Sequence, residues 1–322
     1  MRPRLGAATR RQTLGALAGL AVGAAAPLQG ETFAGRYALR PQAVAPGLWL
    51  VRGAAAPMAF ANGGAIANCA ILATMAGPVL FDCGPSRGYG AALRALARRL
   101  TGRDPALVLV SHLHPDHALG AAAFDPALVA ALPETIAQLE RDGPAMTDAM
   151  FRLLADWMRG TELAIPLRRL TPGLLELGGR RLHLVALAGH SGGDLAVLDE
   201  ASGTLLAGDL VFHDRAPATP HADLARWRAA LDTLAALPHR LLLPGHGPAD
   251  PAGRAIAQTR DWLDWLSEAL AGAAAQGLDM VEAGAQPIPA RFAGLAAARY
   301  ELQRSVAHFY AAIEAARLPR ID

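Results

Sequence analysis

Four apolar runs of this sequence each end in a glycine- or proline-containing loop that carries histidine or aspartate. The runs occupy residues 107–110, 182–186, 204–207 and 240–243. Their loops carry seven such side chains, which are His112, His114, Asp116, His117, His190, Asp209 and His246. Short apolar runs bounded by turn residues are typical of buried strands, and the ends of such strands meet at one edge of a sheet. The pattern therefore predicts a layered α/β fold with one site at the ends of four strands.

The density of imidazole and carboxylate groups in these loops indicates a metal site. Such groups are the usual ligands of zinc or a similar divalent ion, and seven exceed what one tetrahedral ion requires. His112 and His114 stand two residues apart, so in an extended loop they face the same way and can hold one ion. Asp116 and His117 follow at a turn that starts a helix and can hold a second ion. A lone histidine is usually structural, but the His-x-His-x-Asp-His cluster is far more specific and predicts two metal ions.

The charged residues exclude several classes of enzyme. All 30 basic residues are arginine, because the sequence contains no lysine. A pyridoxal phosphate Schiff base, a Walker-type phosphate loop and a protein kinase each require lysine, so this chain can build none of them. The formal net charge is only +2 and the arginines are dispersed, which disfavours a nucleic-acid partner. We expect a small-molecule substrate.

The N-terminus has the layout of an export signal. Four arginines in the first 11 residues precede an uncharged stretch, 12–30, that is rich in alanine, leucine and glycine. The Arg10-Arg11 pair resembles the twin-arginine signal, which sends folded proteins to the bacterial periplasm. The alternative is a basic tail on a cytosolic protein. We expect a signal peptide over residues 1–30 and a periplasmic protein without a permanent membrane span.

The remaining residues, 31–322, are expected to form one domain whose C-terminal helices occupy 253–318. Strand-like runs occur at 48–52, 65–73, 79–82, 107–111, 181–186, 196–198, 204–207 and 240–243. Helical periodicity occurs at 89–100, 144–158, 223–236, 253–275 and 293–316. Hairpins at the start and helix-separated strands later indicate mixed sheets with helices outside.

The two cysteines leave two interpretations open. Cys69 and Cys83 flank a predicted hairpin that turns at about residue 76, so they are placed opposite each other. A cross-strand disulfide is geometrically allowed, and the periplasm would permit it. Two small core residues are the alternative.

With these motifs in this order, the sequence resembles the metallo-β-lactamase superfamily over essentially all of residues 31–322. The resemblance implies an αββα sandwich, with two mixed β-sheets flanked by helices, and a dinuclear site of the glyoxalase II type. It implies the following ligands: His112, His114 and His190 for the first metal, Asp116, His117 and His246 for the second, and Asp209 as the bridge. Asp116 would also orient the attacking hydroxide.

Asp82 matches the aspartate that closes an early strand in this superfamily. The implied role is to orient a ligand histidine through its free ring nitrogen. The alternative is an ordinary turn aspartate at the end of a strand. Residues 118–189, which separate His117 from His190 and include Trp157 and Arg159, are the expected lid or substrate wall.

Departures from the family pattern narrow the expected substrate. True metallo-β-lactamases usually have cysteine or serine where Asp209 stands, so the aspartate makes a β-lactam less suitable as the native substrate. Nuclease branches insert a large domain before the final histidine, but here only residues 210–245 intervene. A nucleic-acid substrate is therefore disfavoured.

Three further segments of the sequence resemble those of the zinc metallohydrolases of quinoprotein relay systems. They are residues 82–90, 157–162 and 300–308. This branch implies a functional link to pyrroloquinoline-quinone (PQQ) dehydrogenases and c-type cytochromes. The chain itself has no Cys-x-x-Cys-His sequence for haem attachment.

Three classes of function follow. The first is a periplasmic hydrolase with two zinc ions that cleaves an ester, thioester or lactone-like bond by a metal-bound hydroxide. The second is an iron-dependent oxidoreductase, similar to persulfide dioxygenases, because histidine and carboxylate ligands also suit iron or manganese. The third is a non-catalytic accessory protein that binds metal. The complete ligand set favours the hydrolase.

Overall fold

A computed structural model of the chain describes residues 35–317. The predicted signal peptide, residues 1–30, lies outside the described residues, as does the last residue of the predicted C-terminal helical segment. The strands are β1 (Pro41–Ala45), β2 (Leu48–Val51), β3 (Cys69–Leu72), β4 (Val79–Phe81), β5 (Leu107–Leu109), β6 (Val129–Ala131), β7 (Arg168–Arg169), β8 (Gly173–Leu177), β9 (Arg180–Leu187), β10 (Asp194–Asp199), β11 (Thr204–Phe212) and β12 (Leu241–His246). The α-helices are α1 (Arg87–Thr101), α2 (Pro115–Ala118), α3 (Pro133–Leu154), α4 (Leu224–Ala236), α5 (Ala255–Ala275), α6 (Met280–Ala285) and α7 (Ala298–Ala315).

The strands form two mixed sheets. In the first sheet the order is β1-β2-β3-β4-β5-β6-β7, with antiparallel pairs from β1 to β4 and parallel pairs from β4 to β7. In the second sheet the order is β12-β11-β10-β9-β8, where β11 and β12 are parallel and the other pairs are antiparallel. Each parallel pair needs a crossover, which α1 supplies between β4 and β5 and α4 supplies between β11 and β12.

Alternation along the strands builds three apolar layers. In β5, Leu107 and Leu109 pack in the core between the two sheets, whereas Val108 packs in the core with α1 and α3. The outer face of the second sheet packs in a third core with α4, α5 and α7. Each fully buried leucine contributes about 1.5–3 kcal/mol. The layers give the αββα sandwich with two mixed sheets, so the predicted fold class is confirmed.

Helix α1 shows how local sequence fixes one of the outer helices. The Ser86 hydroxyl caps its N-terminus by accepting a hydrogen bond from the backbone N–H of Tyr89 at 3.3 Å. Its C-terminus ends at Gly102, which takes a left-handed φ of 74°. Tyr89, Leu93 and Leu96 recur at helical spacing and are buried against the first sheet. The helix predicted at 89–100 therefore extends by two residues at its start and one at its end.

A buried ion pair ties the second sheet to the first. Arg180 in β9 donates to both carboxylate oxygens of Asp199 in β10, at 2.8 and 2.6 Å. The same guanidinium donates to the carbonyls of Gly47 and Ala73, at 2.9 and 3.1 Å, beside β2 and β3. The bidentate geometry satisfies two charges that would be costly to bury apart.

Helix α3 and several strands depart from the predicted boundaries. The sequence predicts a helix at 144–158, but α3 runs from Pro133 to Leu154 with Pro144 inside it. Pro133 takes the first helical position, where a missing N–H costs nothing. Four strands were not predicted, namely β1, β6, β7 and β8. The predicted strand at 65–73 is ordered as a strand only over Cys69–Leu72, and β11 continues to Phe212.

Both cysteines are free thiols in this fold. Cys69 and Cys83 are buried, and the Cys83 thiol donates to the carbonyl of His117 at 3.1 Å. Burial raises the pKa of both thiols. The structure therefore supports the second interpretation, in which Cys69 and Cys83 are small core residues and not a disulfide. Among the described residues, no helix is both long and apolar enough to cross a membrane.

Candidate metal centre

The strand ends bring all seven histidines and aspartates together as two adjoining groups. The first group is His112, His114, His190 and Asp209, and the second is Asp116, His117 and His246. Within each group the ligand atoms lie within 4.8 Å of one another. All seven residues are buried. The side chains therefore converge as predicted, but not at the edge of one sheet. The loop after β5 comes from the first sheet, whereas His190 follows β9, Asp209 lies in β11 and His246 ends β12, all in the second sheet.

The loop after β5 supplies four of these side chains from six residues. The chain bends at His112 and Leu113, and His114 is the N-cap of α2, with an extended ψ of 143°. Pro115 then occupies the first helical position, so the chain turns into a helix at once. Asp116 and His117 sit in that first turn. The bend followed by a helical turn places two histidines in one group and the next two side chains in the other.

Each histidine of the first group has an inner ring nitrogen, which faces the other clustered side chains, and an outer ring nitrogen, which faces away from them. The inner nitrogens lie close to one another. His114 Nδ1 lies 2.9 Å from His112 Nε2 and 2.8 Å from His190 Nε2. Burial lowers the pKa of all three rings, to about 3 for His190, despite the opposing Asp209 carboxylate. The rings are therefore neutral, and neutral imidazole is the form that ligates metal.

Asp209 contacts both groups. Its Oδ2 lies 3.3 Å from His190 Nε2 and 3.2 Å from His246 Nε2. In the second group, Asp116 Oδ2 lies 3.4 Å from His246 Nε2 and 3.8 Å from His117 Nε2. Burial raises the pKa of Asp209, but the histidines around it, His246 first, hold that pKa well below its usual value. An ionised carboxylate between two nitrogen clusters suits a bridging ligand.

Asp82 holds the outer nitrogen of His117. The His117 Nδ1–H donates to Asp82 Oδ2 at 2.7 Å, so Nε2 faces the second group. Burial lowers the pKa of His117, yet the carboxylates of Asp209, Asp82 and Asp116 together raise it well above its usual value. A metal ion at this position would take the place of the Nε2 proton. Asp82 adopts a left-handed φ of 62°, which is uncommon outside glycine and typical of functional sites.

Ser111 extends the same network to His112. Its hydroxyl donates to Asp82 Oδ2 at 2.9 Å, so its oxygen accepts from the His112 Nδ1–H at 2.8 Å. The backbone N–H of Ser111 donates to Asp82 Oδ1 at 2.8 Å. His246 is fixed separately, because its Nδ1–H donates to the carbonyl of Ile66 at 2.9 Å. In His112 and His246 the outer nitrogen donates to these oxygens, so the inner nitrogen faces the centre.

His221 is a site residue that sequence reasoning missed. Its Nδ1 lies 2.8 Å from His114 Nε2, where it accepts the outer N–H of that ring. His221 follows β11 in a loop with no motif, so no sequence signal marks it. His213, which also follows β11, is buried outside the two groups, and its Nδ1 donates to the carbonyl of Pro248 at 3.0 Å.

Gly245 allows Asp209 to reach its position. A Cβ at residue 245 would lie 1.9 Å from Asp209 Oδ1, which no side chain can tolerate. Only glycine fits at this position of the Pro-Gly-His segment, because β12 passes directly behind the carboxylate that contacts both groups.

A cavity of about 140 Å³ opens onto the centre. His114, Asp116, Asp209 and His246 form its floor, and Met150 and Leu153 of α3 form part of its wall. The predicted wall between His117 and His190 is therefore present, although Trp157 packs against Tyr37 and does not line this cavity. Arg215, Tyr300 and Arg304 complete the opposite side.

Comparisons with known proteins agree with this geometry. The family model of the metallo-beta-lactamase superfamily matches residues 62–246, more than half of the chain and all seven clustered residues. A search of curated protein sequences gave no match. Among solved structures, a metallo-beta-lactamase from Pontibacter korlensis is similar at 19% identity and a TM-score of 0.57, covering 70% of this chain and 99% of that one. The metallo-beta-lactamase FIM-1 from Pseudomonas aeruginosa, in its mono-zinc form, is similar at 18% identity and a TM-score of 0.57, covering 72% and 97%.

Proposed function

The chain belongs to the metallo-β-lactamase superfamily, and from this we propose that it is a dinuclear zinc hydrolase that cleaves an ester, thioester or lactone-like bond. One observation carries the proposal: two buried groups of metal-ligand side chains lie side by side and share contacts with Asp209. A purely structural histidine cluster would not need four outer nitrogens fixed so that the inner lone pairs converge.

The donor set fits two divalent ions. His112, His114 and His190 would hold one ion, Asp116, His117 and His246 would hold the other, and Asp209 would contact both. The nitrogen-rich composition suits zinc, with iron or manganese as the other metals that such ligands accept. When bound, such a pair of ions polarises a carbonyl and lowers the pKa of a water.

The chain's own residues would position the reaction. Asp116 lines the cavity, so one of its oxygens can ligate while the other orients the attacking water. Asp82 and Ser111 hold His117 and His112 in the required ring orientations. His221 does the same for His114. Met150 and Leu153 add an apolar wall beside the floor of the cavity.

The bridging position argues for a substrate other than a β-lactam. Asp209 stands where true lactamases usually have cysteine or serine, as the resemblance implies. The similar solved structures are lactamases by name. At 18 and 19% identity, however, the similarity supports the fold and does not identify the substrate.

We also propose that the protein is exported to the periplasm and serves a PQQ dehydrogenase system with c-type cytochromes. The order of Arg10-Arg11 and the uncharged stretch 12–30 supports export. The three segments at 82–90, 157–162 and 300–308 support the link to the dehydrogenase system. Replacing Arg10 and Arg11 by lysine should block export, which fractionation of the native host would measure. Normal export of that variant would contradict a twin-arginine route.

The hydrolase proposal is tested by metal content and turnover of the same preparation. We expect about two zinc ions per chain by elemental mass spectrometry. We also expect hydrolysis of at least one substrate in a panel of thioesters, esters and lactones, with a β-lactam as the poorest. One iron per chain would contradict the hydrolase and support the iron-dependent oxidoreductase. Two metals without turnover would contradict the hydrolase and support the non-catalytic accessory protein.

A further inference from the structure

The acidic and basic residues of this chain are unevenly distributed. Residues 32–103 hold eight arginines and a single acid, Asp82, which is buried. Residues 104–322 hold 18 arginines against 26 acids. The arginines form no run in the sequence, but the first set lies on one part of the fold, from the segment before β1 to the end of α1. A local excess of one sign of charge attracts a partner of the opposite sign.

Helix α1 carries part of this charge along one exposed face. Arg87, Arg94 and Arg98 are separated by seven and four residues, which places them on the same side of a helix. Together with Arg159 they line a surface groove of about 550 Å³, which we call the α1 groove. The remaining residues that line it are small or acidic: Gly88, Ala91, Ala95, Ala123 and Asp104.

Asp104 shows how the α1 groove holds a carboxylate. Its Oδ1 accepts from Arg94 Nε at 3.2 Å, and its Oδ2 accepts from Arg98 Nη1 at 3.3 Å. Each guanidinium has five N–H donors, and the others make no hydrogen bond to a described residue. The side chains of Arg94 and Arg98 are 50% and 68% exposed, so these donors are accessible to a second anion.

The other two arginines leave the α1 groove with an excess of positive charge. Arg159 pairs with Asp156 at 2.9 Å. Arg87 is exposed and forms no ion pair within the described part of the chain. Four guanidiniums are therefore opposed by two carboxylates, and two positive charges remain for a partner to balance.

We propose that the α1 groove binds a short acidic segment of a partner protein in extended form, with its carboxylates on Arg87, Arg94 and Arg98. From Arg87 to Arg98 the helix rises by about 16 Å, at about 1.5 Å per residue. An extended chain covers that length with about five residues, at about 3.3 Å each. Alternate side chains of such a chain lie about 6.6 Å apart, close to the rise of about 6 Å between Arg94 and Arg98.

The lining of the α1 groove favours a peptide over other anionic partners. No aromatic ring lines the groove, so it has no surface on which the bases of a single-stranded nucleic acid could stack. None of the large exposed apolar side chains lines it either, whereas a surface that binds a membrane needs such side chains to insert. The small residues leave room for a peptide backbone, and arginine can bind a carboxylate through two parallel hydrogen bonds.

Fluorescence anisotropy with a labelled peptide tests the groove. The probe is a rhodamine-labelled hexapeptide of alternating aspartate and alanine, and its uncharged counterpart has asparagine for aspartate. On the zinc-loaded protein at low salt, we expect the acidic peptide to bind at least about tenfold more tightly. This ratio should fall at least about fivefold in the double variant Arg87→Gln/Arg94→Gln. The matched control, Arg181→Gln/Arg291→Gln, removes two ion-paired arginines that are each 52% exposed and lie outside the groove, and it should keep the ratio.

A second variant should gain binding. Asp104→Asn frees the guanidiniums of Arg94 and Arg98 from a competing carboxylate, so we expect the acidic peptide to bind about threefold more tightly. The substituted side chains are exposed, so the variants should fold, and melting temperature and zinc content would check this. A ratio near one in the wild type, an unchanged ratio in Arg87→Gln/Arg94→Gln, or no gain in Asp104→Asn would overturn the inference.

Parallel measurements test three other occupants of the α1 groove. The probes are a labelled thymidine hexanucleotide, vesicles of phosphatidylglycerol, and the protein alone in analytical ultracentrifugation. Tighter binding of the oligonucleotide or the vesicles than of the acidic peptide, if lost in Arg87→Gln/Arg94→Gln, would overturn the inference. Self-association that the same variant abolishes would assign the groove to a second copy and would also overturn it. Weaker binding of these probes and a monomeric protein would support the acidic peptide.

The inference does not rest on the proposed function. The α1 groove shares no lining residue with the cavity at the metal centre, so hydrolysis by Arg87→Gln/Arg94→Gln should equal that of the wild type. Hydrolysis without peptide binding would overturn only the inference, and peptide binding without hydrolysis would count only against the hydrolase.

Discussion

The two groups of the metal centre are held in place by different chemistry. In the first group, histidines with lowered pKa values are supported from outside by neutral partners, the Ser111 hydroxyl and the exposed His221. In the second, His117 has a raised pKa and is supported by the buried carboxylate of Asp82. A charge-assisted hydrogen bond is roughly twice as strong as a neutral one. The comparison teaches that the second group should depend more strongly on its charged outer partner. Asp209 contacts both groups directly, whereas Asp82 reaches the first group only through Ser111.

Replacing Asp209 should give the largest effect, because its carboxylate contacts both groups. In Asp209→Asn we expect zinc to fall below two ions per chain and kcat/KM to fall roughly a thousandfold, since several kcal/mol of charge stabilisation would be lost. Elemental analysis and initial rates would measure both. If the variant keeps two zinc ions and activity within tenfold of wild type, Asp209 does not join the groups.

Replacing Asp82 should come next and should act mainly on the second group. In Asp82→Asn we expect one of the two zinc ions to bind about 10- to 100-fold more weakly, because the His117 ring loses its charged partner. Titration with a competing chelator would resolve the two affinities. The matched control is Ser111→Ala, which removes the contact with His112 but leaves Asp82 beside His117. Identical losses in both variants would contradict the division of the centre.

Removing His221 should give a smaller effect, confined to the first group. In His221→Ala the neutral hydrogen bond to His114 is lost, and we expect a loss of zinc affinity of about tenfold or less, at one site only. His221→Asn should restore part of the affinity, because an amide oxygen can accept the same N–H. His239→Ala is the control, since His239 contacts the carbonyl of Leu237. A change in the second site of His221→Ala would show that the groups are not independent.

Breaking the Arg180 contact should leave the centre unchanged. In Arg180→Met the buried Asp199 carboxylate loses its partner, so we expect the free energy of unfolding to fall by about 3–5 kcal/mol. Zinc content should remain that of the wild type, because Arg180 begins β9, whereas His190 follows the opposite end of that strand. Denaturant unfolding and elemental analysis would test this separation of stability from metal binding.

The site was more predictable than the fold around it. The candidate ligand residues lie within short motifs directly after apolar strands, so the clustering of His112 to His117 could be predicted from local sequence. The edge strand β7, in contrast, is an exposed Arg168–Arg169 pair whose extended form depends on its neighbour β6. The predicted start of α3 at Pro144 was wrong, because the proline that begins this helix is Pro133.

Contacts between distant segments could not be predicted. His221 meets His114 across 107 residues, and Arg215 meets Glu301 across 86. Neither pair carries a periodic pattern or a turn signal, so only the packing of α7 and the loop after β11 reveals them. The side of the cavity opposite α3 includes Arg215 from such a contact, which is why the motifs predicted the clustered histidines and aspartates and not the rest of the cavity wall.

The central claim is that one bridging aspartate joins two adjacent metal positions. Anomalous X-ray diffraction at the zinc edge from crystals of the zinc-loaded protein tests it most directly. We predict two peaks, one among His112, His114 and His190 and one among Asp116, His117 and His246, with Asp209 in contact with both. A single peak, or a second peak away from Asp116, His117 and His246, would contradict the account.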